Sequence, residues 1–308
     1  MTHLVLGAGP IGTTLALRLA ERGDHVRLMT RSGSGPDHPA IERVVGDATD
    51  SEAVERAARG TEAIHHCIHA TAYRAEVWRR ELPAAERVVL RAAEREGAVV
   101  TFPESLYGLD AAPQPFTETS ARTPGSAKGA VRVDLLAARE AAPVRTVSVA
   151  ASDYFGPLAR ANAHAGERMI VPLLRGRTVR PLGSADHPHS FTYLPDLAEA
   201  MIRAADDPRC NDLMFAPTGP AITQRELVAR YAAAAGVPVP RIRPIPGAAV
   251  RALGRVQRDM RELAEMLHQW DRPFVMDSSA TEALLGLTPT DLDTAVETTI
   301  AWWLDQQR

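Results

Sequence analysis

A chain of 308 residues, 45% hydrophobic and 24% charged, is long enough to bury a full core and has the balance of a soluble globular protein. Its net charge of −3, with Arg and acidic residues interspersed, offers no electrostatic footprint for nucleic acid or an anionic membrane, so the expected partner is a small molecule and the expected assembly a monomer or homodimer. Cys67 and Cys210 form no Cys-x-x-Cys pair or zinc-like cluster, and Met1 leads straight into His3-Leu4-Val5-Leu6, which points to a reducing, cytoplasmic setting without disulfides, a structural metal or a membrane span.

Apolar, β-branched runs predict strands at 3–7, 25–30, 41–46, 62–68, 97–102 and 144–150, each reading as buried on both faces. Between them, Ala, Leu, Arg and Glu at helical spacing predict helices at 10–22, 51–59, 81–96 and 126–141. This alternation predicts an α/β fold, a Rossmann doubly wound parallel sheet with a smaller interleaved C-terminal substrate lobe. Beyond residue 150, Pro- and Gly-rich stretches at 156–158, 181–188, 217–220 and 237–247 separate helices at 163–175, 195–205, 223–235, 248–268 and 291–306 from short strands at 178–181 and 212–216. The dinucleotide domain is placed at 1–155, completed by 192–217, and the lobe at 156–191 and 218–308. No internal repeat, heptad run or low-complexity tract interrupts that division.

The segment Leu4 to Gly12 is a G-x-G-x-x-G directly after a buried strand and opening a helix. In that context Gly7 permits the tight turn, Gly9 lets backbone approach a pyrophosphate, Gly12 allows close helix–strand packing, and Pro10 and Ile11 begin the helix. The second strand ends in Thr30, Arg31 and Ser32, where an NAD site places an acid on the ribose 2′-hydroxyl. Arg31 can instead pair with a 2′-phosphate, so NADP(H) is expected ahead of NAD(H). The third strand closes with Asp47-Ala48, set to meet the adenine, and with Asp50 as a helix cap. Cys67, Ile68 and His69 end the fourth strand beside the cofactor. Alternation sends His65 and Cys67 to the opposite face from His66, so no shared metal is expected.

With these elements, Leu106-Tyr107-Gly108, Asp153-Tyr154-Phe155-Gly156-Pro157, Phe191-Thr192-Tyr193 before Asp196, and Asp277–Ser279 before Leu284-Leu285-Gly286, the chain resembles the extended short-chain dehydrogenase/reductases of the NAD-dependent epimerase/dehydratase group. The resemblance implies a Ser or Thr after the fifth strand and a Tyr-x-x-x-Lys on the following helix, the Tyr passing the proton and the Lys lowering its pKa. Pro103 occupies the hydroxyl position here. Matching Pro124 to Gly129 to the family pattern sets Lys128 at the tyrosine and Arg132 at the lysine; slipping the alignment leaves Lys128 as the lysine and Pro124 at the tyrosine. Pro103, Lys128, Arg132 and Asp153 are the further cofactor contacts the resemblance implies.

Lys128 is the only lysine among 35 basic residues, and Arg replaces Lys at little cost on a solvated face, so its retention in the catalytic segment points to cofactor contact, substrate contact or proton transfer. Glu104, placed to pair with Lys128, and Tyr107, a substitute phenol, complete the catalytic set. Tyr73, Trp78, Tyr154, His189 and Trp270 are the expected substrate contacts, in a pocket walled by 69–78, 153–165, 186–193 and 257–276. The expected function is an NADP(H)-dependent oxidoreductase acting on a small carbonyl, enol or imine with a non-standard proton donor. A cofactor-binding redox sensor without catalysis, and a non-redox cyclase or isomerase, are the rival readings.

Overall fold

The computed structural model describes residues 1–161 and 163–307. Strands β1 (Thr2–Leu6), β2 (His25–Thr30), β3 (Ile41–Val45), β4 (Ala63–His66), β5 (Val99–Ser105) and β6 (Thr146–Ala151) are followed by short β7 (Asp153–Phe155) and β8 (Phe191–Tyr193), then β9 (Asp212–Phe215). Seven of them form one parallel sheet in the order β3-β2-β1-β4-β5-β6-β9, and β7 pairs β8 in a separate parallel ribbon. The order reverses between β1 and β4, so the loops after these strands diverge to opposite faces and leave a crevice at their carboxyl ends.

Alternation along β1 divides the core. Val5 joins Leu15, Leu19 and Met201 on the face covered by α1 (Pro10–Glu21) and the helix Leu194–Asp206, while Leu4 and Leu6 join Val54, Val89 and Phe102 under the helices Ser51–Ala58 and Ala75–Glu96. All are 0–1% exposed, and each side chain of this size contributes about 1.5–3 kcal/mol of burial. The remaining helices are α2 (Ser51–Ala58), α3 (Ala75–Glu96), α4 (Ala127–Glu140), α5 (Glu167–Leu174), α6 (Leu194–Asp206), α7 (Gln224–Ala234), α8 (Gly247–Leu253), α9 (Arg258–Ala264), α10 (His268–Asp271), α11 (Ser279–Leu285) and α12 (Leu292–Asp305). A second core, around Phe155, Met169, Tyr231 and Trp303, joins α5, α7 and α12.

Several boundaries differ from the sequence reading. The stretch 248–268 is not one helix: α8 and α9 are folded against each other, with a Cβ at Gly254 only 3.0 Å from Arg261 Cα. Residues 178–181 do not form a strand: Val179 and, just beyond them, Leu182 make only isolated bridges, to Ile242 and Ile245. Helix α3 starts at Ala75 and carries Pro83 inside it, where the burial of Val77, Trp78 and Leu82 outweighs the lost amide. Among the described residues no helix is long and apolar enough to cross a membrane.

Candidate cofactor and substrate site

The glycine loop is built by contacts that differ at each glycine. Gly7 has φ +96 and its N–H donates to Met29 O at 3.0 Å, so the chain turns back against β2 in a conformation that L side chains rarely adopt. A Cβ on Gly12 would stand 2.0 Å from Gly7 O, which fixes glycine where α1 crosses β1. At Gly9 a Cβ would meet no atom within 4 Å, so the protein's own packing does not demand glycine there. Gly9 is also the N-cap of α1, and no side chain caps that helix. First-turn amides at such a terminus suit a pyrophosphate, with Pro10 removing the one amide least needed. Cys67 and Ile68 floor the loop, 3.1 and 3.2 Å from the ideal Cβ positions of Gly12 and Gly7, and burial pushes the Cys67 thiol up to about 12.

At the end of β2, Thr30 Oγ1 donates to Ser34 O at 3.1 Å and the Ser32 hydroxyl reaches Ser34 Oγ at 2.9 Å. Arg31 is exposed and makes no ion pair among the described residues. Asp47 is drawn into its own turn: Oδ1 accepts from Thr49 N at 2.9 Å and Thr49 Oγ1 at 2.7 Å, which with Arg31 nearby holds the carboxyl low. Ala48 is buried beneath it, and Asp50 caps α2 through Glu52 N and Ala53 N. His65 stacks on His3 and His66 lies against Phe102, as strand alternation requires.

Past β5, the charged groups pair differently from the sequence expectation. Glu104 does not meet Lys128. Its Oε2 accepts from Arg139 Nη1 at 2.8 Å, and Oε1 lies 3.4 Å from Arg132 Nε; Arg139 also grips Glu86 with two bonds of 2.8 and 2.6 Å. Burial pushes the Glu104 carboxyl up, but Arg132 and Arg139 outweigh it and hold it low. The helix face that carries Arg132 toward Glu104 carries Lys128, one turn earlier, toward the lobe. There Lys128 is fully buried, donating to Glu262 O at 3.1 Å, Glu262 Oε2 at 2.5 Å and Glu265 Oε2 at 2.9 Å, so its three N–H groups all have acceptors. Pro103, within β5, lies opposite Val149.

The aromatic residues converge beside these charges. Tyr107, on the 3-10 turn Leu106–Leu109, has its hydroxyl 2.9 Å from that of Tyr73. Trp78 is 1% exposed, donates Nε1 to Ala72 O, and lies under Tyr73, His69 and Tyr107; it is the floor of the cleft and not a wall open to substrate, contrary to expectation. The Arg132 guanidinium sits 4.8 Å over its ring. Across the cleft, Asp153 Oδ2 accepts from Trp270 Nε1 at 2.7 Å and lies 3.0 Å from His189 Nε2, while His189 Nδ1 donates to Gln269 O. Burial raises the Asp153 carboxyl, yet His189, His164 and Trp270 hold it at about 2. Burial, helped by Asp153, pushes the phenols of Tyr73, Tyr107 and Tyr154 up, that of Tyr154 to about 12.

Sequence reasoning missed Glu262, Glu265, Glu86, Arg139 and His164. The first two are an acidic pair one helical turn apart, a signal that a lone lysine needs a partner could have used. His164 lies tilted against Trp270, ring centroids 4.6 Å apart, and bonds Gln224 at 2.6 Å, with nothing local in sequence to mark it.

Residues 3–213 match the model of the NAD dependent epimerase/dehydratase family. No curated protein matches significantly. Among solved structures, MoeE5 in complex with UDP-glucose and NAD aligns over 100% of both chains at 21% identity with a TM-score of 0.77. DesIV, a dTDP-glucose 4,6-dehydratase from Streptomyces venezuelae solved with NAD, aligns over 100% of this chain and 98% of its own at 19% identity and a TM-score of 0.79. A UDP-glucose 4-epimerase from Thermotoga maritima solved with UDP-glucose aligns over 100% of both at 18% and 0.77. At these identities the likeness is one of fold.

Proposed function

Since the chain belongs to the NAD dependent epimerase/dehydratase family, we propose that it is an NADP(H)-dependent oxidoreductase that acts on a small carbonyl, enol or imine and uses Tyr107 as proton donor. The observation that carries this reading is the Tyr73–Tyr107 hydroxyl pair, 2.9 Å apart at the carboxyl end of β5. The Tyr107 phenol is pushed up and so stays protonated, and Tyr73, 39% exposed, links it to solvent for reprotonation. Lys128 stands at the family's tyrosine position in the direct alignment, but its N–H groups are saturated by Glu262 and Glu265, so we assign it to holding α9 over the cleft.

The nicotinamide cofactor, when bound, supplies hydride chemistry. Gly7, Gly9 and Gly12 would hold its pyrophosphate, Thr30, Arg31 and Ser32 its 2′-phosphate, Asp47, Ala48 and Cys67 to His69 its adenosine half, and Pro103, Arg132 and Asp153 its nicotinamide half. The unpaired Arg31 supports NADP(H) over NAD(H). Screening carbonyl and imine compounds for consumption of NADPH, with wild type and Tyr107→Phe, tests the reading. Turnover by wild type and its loss in Tyr107→Phe is the expected result. A protein that binds NADPH yet consumes none with any compound would favour the sensor reading.

A further inference from the structure

Four charged side chains lie buried in a row between α3, α4 and β5. Glu86, Arg139 and Glu104 are 0–5% exposed, and Arg132, at the end of the row, is 10% exposed. The Arg139 guanidinium donates twice to Glu86, once to Glu104 at 2.8 Å and once to Ser148 Oγ at 3.0 Å, with its centre 4.0 Å over the Phe102 ring. The two oxygens of Glu104 are divided. Oε2 accepts from Arg139, while Oε1 accepts from Ser105 N at 2.7 Å and faces Arg132 Nε at 3.4 Å.

Packing alone does not ask for this row. Apolar side chains of similar volume would join the same elements without desolvating four charges, a cost that their mutual attraction offsets only when every link is in place. The links are not equivalent. Each nitrogen of Arg139 is hydrogen-bonded, whereas Arg132 Nε makes no hydrogen bond and is held by the Glu104 charge and the Trp78 face, 4.8 Å below its guanidinium. Trp78 is the floor of the cleft, so the row fixes, at its open end, the direction of a cation in that cleft.

We propose that Glu86, Arg139 and Glu104 are positioning residues that aim the Arg132 guanidinium at the nicotinamide half of the cofactor. The proposal rests on the assignment of Arg132 to that half. Removing a link should therefore cost affinity only for a ligand that reaches it. NADPH does; 2′,5′-ADP, which keeps the adenosine and the 2′-phosphate and lacks the nicotinamide, does not.

Calorimetric titration of both ligands into the protein tests this, with the thermal midpoint recorded on each sample. Glu104→Gln, which keeps the size of the side chain and removes its charge, should weaken NADPH about tenfold and 2′,5′-ADP less than about twofold. In an Arg132→Met background the same substitution should cost NADPH less than about twofold, since the cation it positions is already gone. Equal losses for the two ligands, no loss for either in a folded Glu104→Gln, or an NADPH loss that persists undiminished beside Arg132→Met overturns the proposal. If Glu104→Gln does not fold, Glu86→Gln, farther along the row, takes its place: a loss of about threefold for NADPH alone is expected, and equal losses or none overturn it. Unchanged NADPH affinity in Arg132→Met would instead remove Arg132 from the nicotinamide half, the reading beneath the proposal, which keeps the two failures apart.

Discussion

The Lys128 amine lies 2.9 Å from the Glu265 carboxylate across 137 residues of chain, joining the first turn of α4 to the segment that follows α9. Around that bond, Arg74 reaches Asp259, Arg258 reaches Glu76, and Glu262 accepts from Ala75 N. Helix α9 fully buries none of its own residues; Leu263 and Ala264 pack partly buried against the cluster of Leu182, Val250, Met266, Leu267 and Trp270, and these polar contacts supply the rest of its hold.

Replacing Lys128 with Met should therefore release α9. Two partly buried carboxylates would lose their cation, at a cost of about 1–3 kcal/mol, below the full figure for a buried pair because both acids keep some solvent. Hydrogen exchange over 258–265 is expected to quicken while NADPH affinity stays within about twofold. Lost NADPH affinity with unchanged exchange would return Lys128 to the cofactor.

Arg31→Ala should weaken NADPH by about tenfold and leave NADH unaffected, because the guanidinium has no protein partner to lose and only the 2′-phosphate to hold. Titrating both cofactors against both proteins checks this. Equal wild-type affinities would remove the preference for NADP(H).

The two glycines at the mouth of α1 should separate folding from binding. Gly12→Ala puts a methyl 2.0 Å from Gly7 O and is expected to lower the thermal midpoint sharply. Gly9→Val enters open space, so the protein should fold normally and lose both cofactors. Retained cofactor affinity in a folded Gly9→Val would show that the backbone approach at this position is not needed.

Legibility in the sequence followed range along the chain. The sheet, the glycine loop and the Asp50 cap are written in adjacent residues, where strand alternation and cap chemistry act within a few positions. The helix that carries Lys128 was likewise readable, but its partner was not: Glu104 is close in sequence, whereas Glu262 and Glu265 reach it only because the lobe folds back. The same applies to Trp78. Its size suggested a substrate wall, but the start of α3 six residues earlier than expected turns it inward beneath Tyr73 and Tyr107.

Acid should destabilise the protein from about pH 6.5 downward, earlier than its carboxylates alone would dictate. His3, His65 and His66 are 0–3% exposed, and burial lowers all three from an ordinary value of 6.5, His66 to about 4. The folded state thus keeps them neutral while the unfolded chain takes up protons, so stability is full above pH 6.5 and falls as pH drops toward the folded values. For His66 alone the loss approaches about 3 kcal/mol near pH 4, since each tenfold change in proton affinity is worth about 1.4 kcal/mol. Glu104, held low by Arg132 and Arg139, adds its own loss only below its ordinary value of 4.5. Thermal midpoints measured from pH 7.5 to 4 should hold level down to about pH 6.5 and slope downward from there, and replacing His66, whose Nε2 has no partner to forfeit, with Leu should flatten the slope between pH 6.5 and 4. A midpoint that stays level until pH 4.5 and then drops would mean the histidines protonate without penalty in the folded protein, and that the acid limit belongs to the carboxylates.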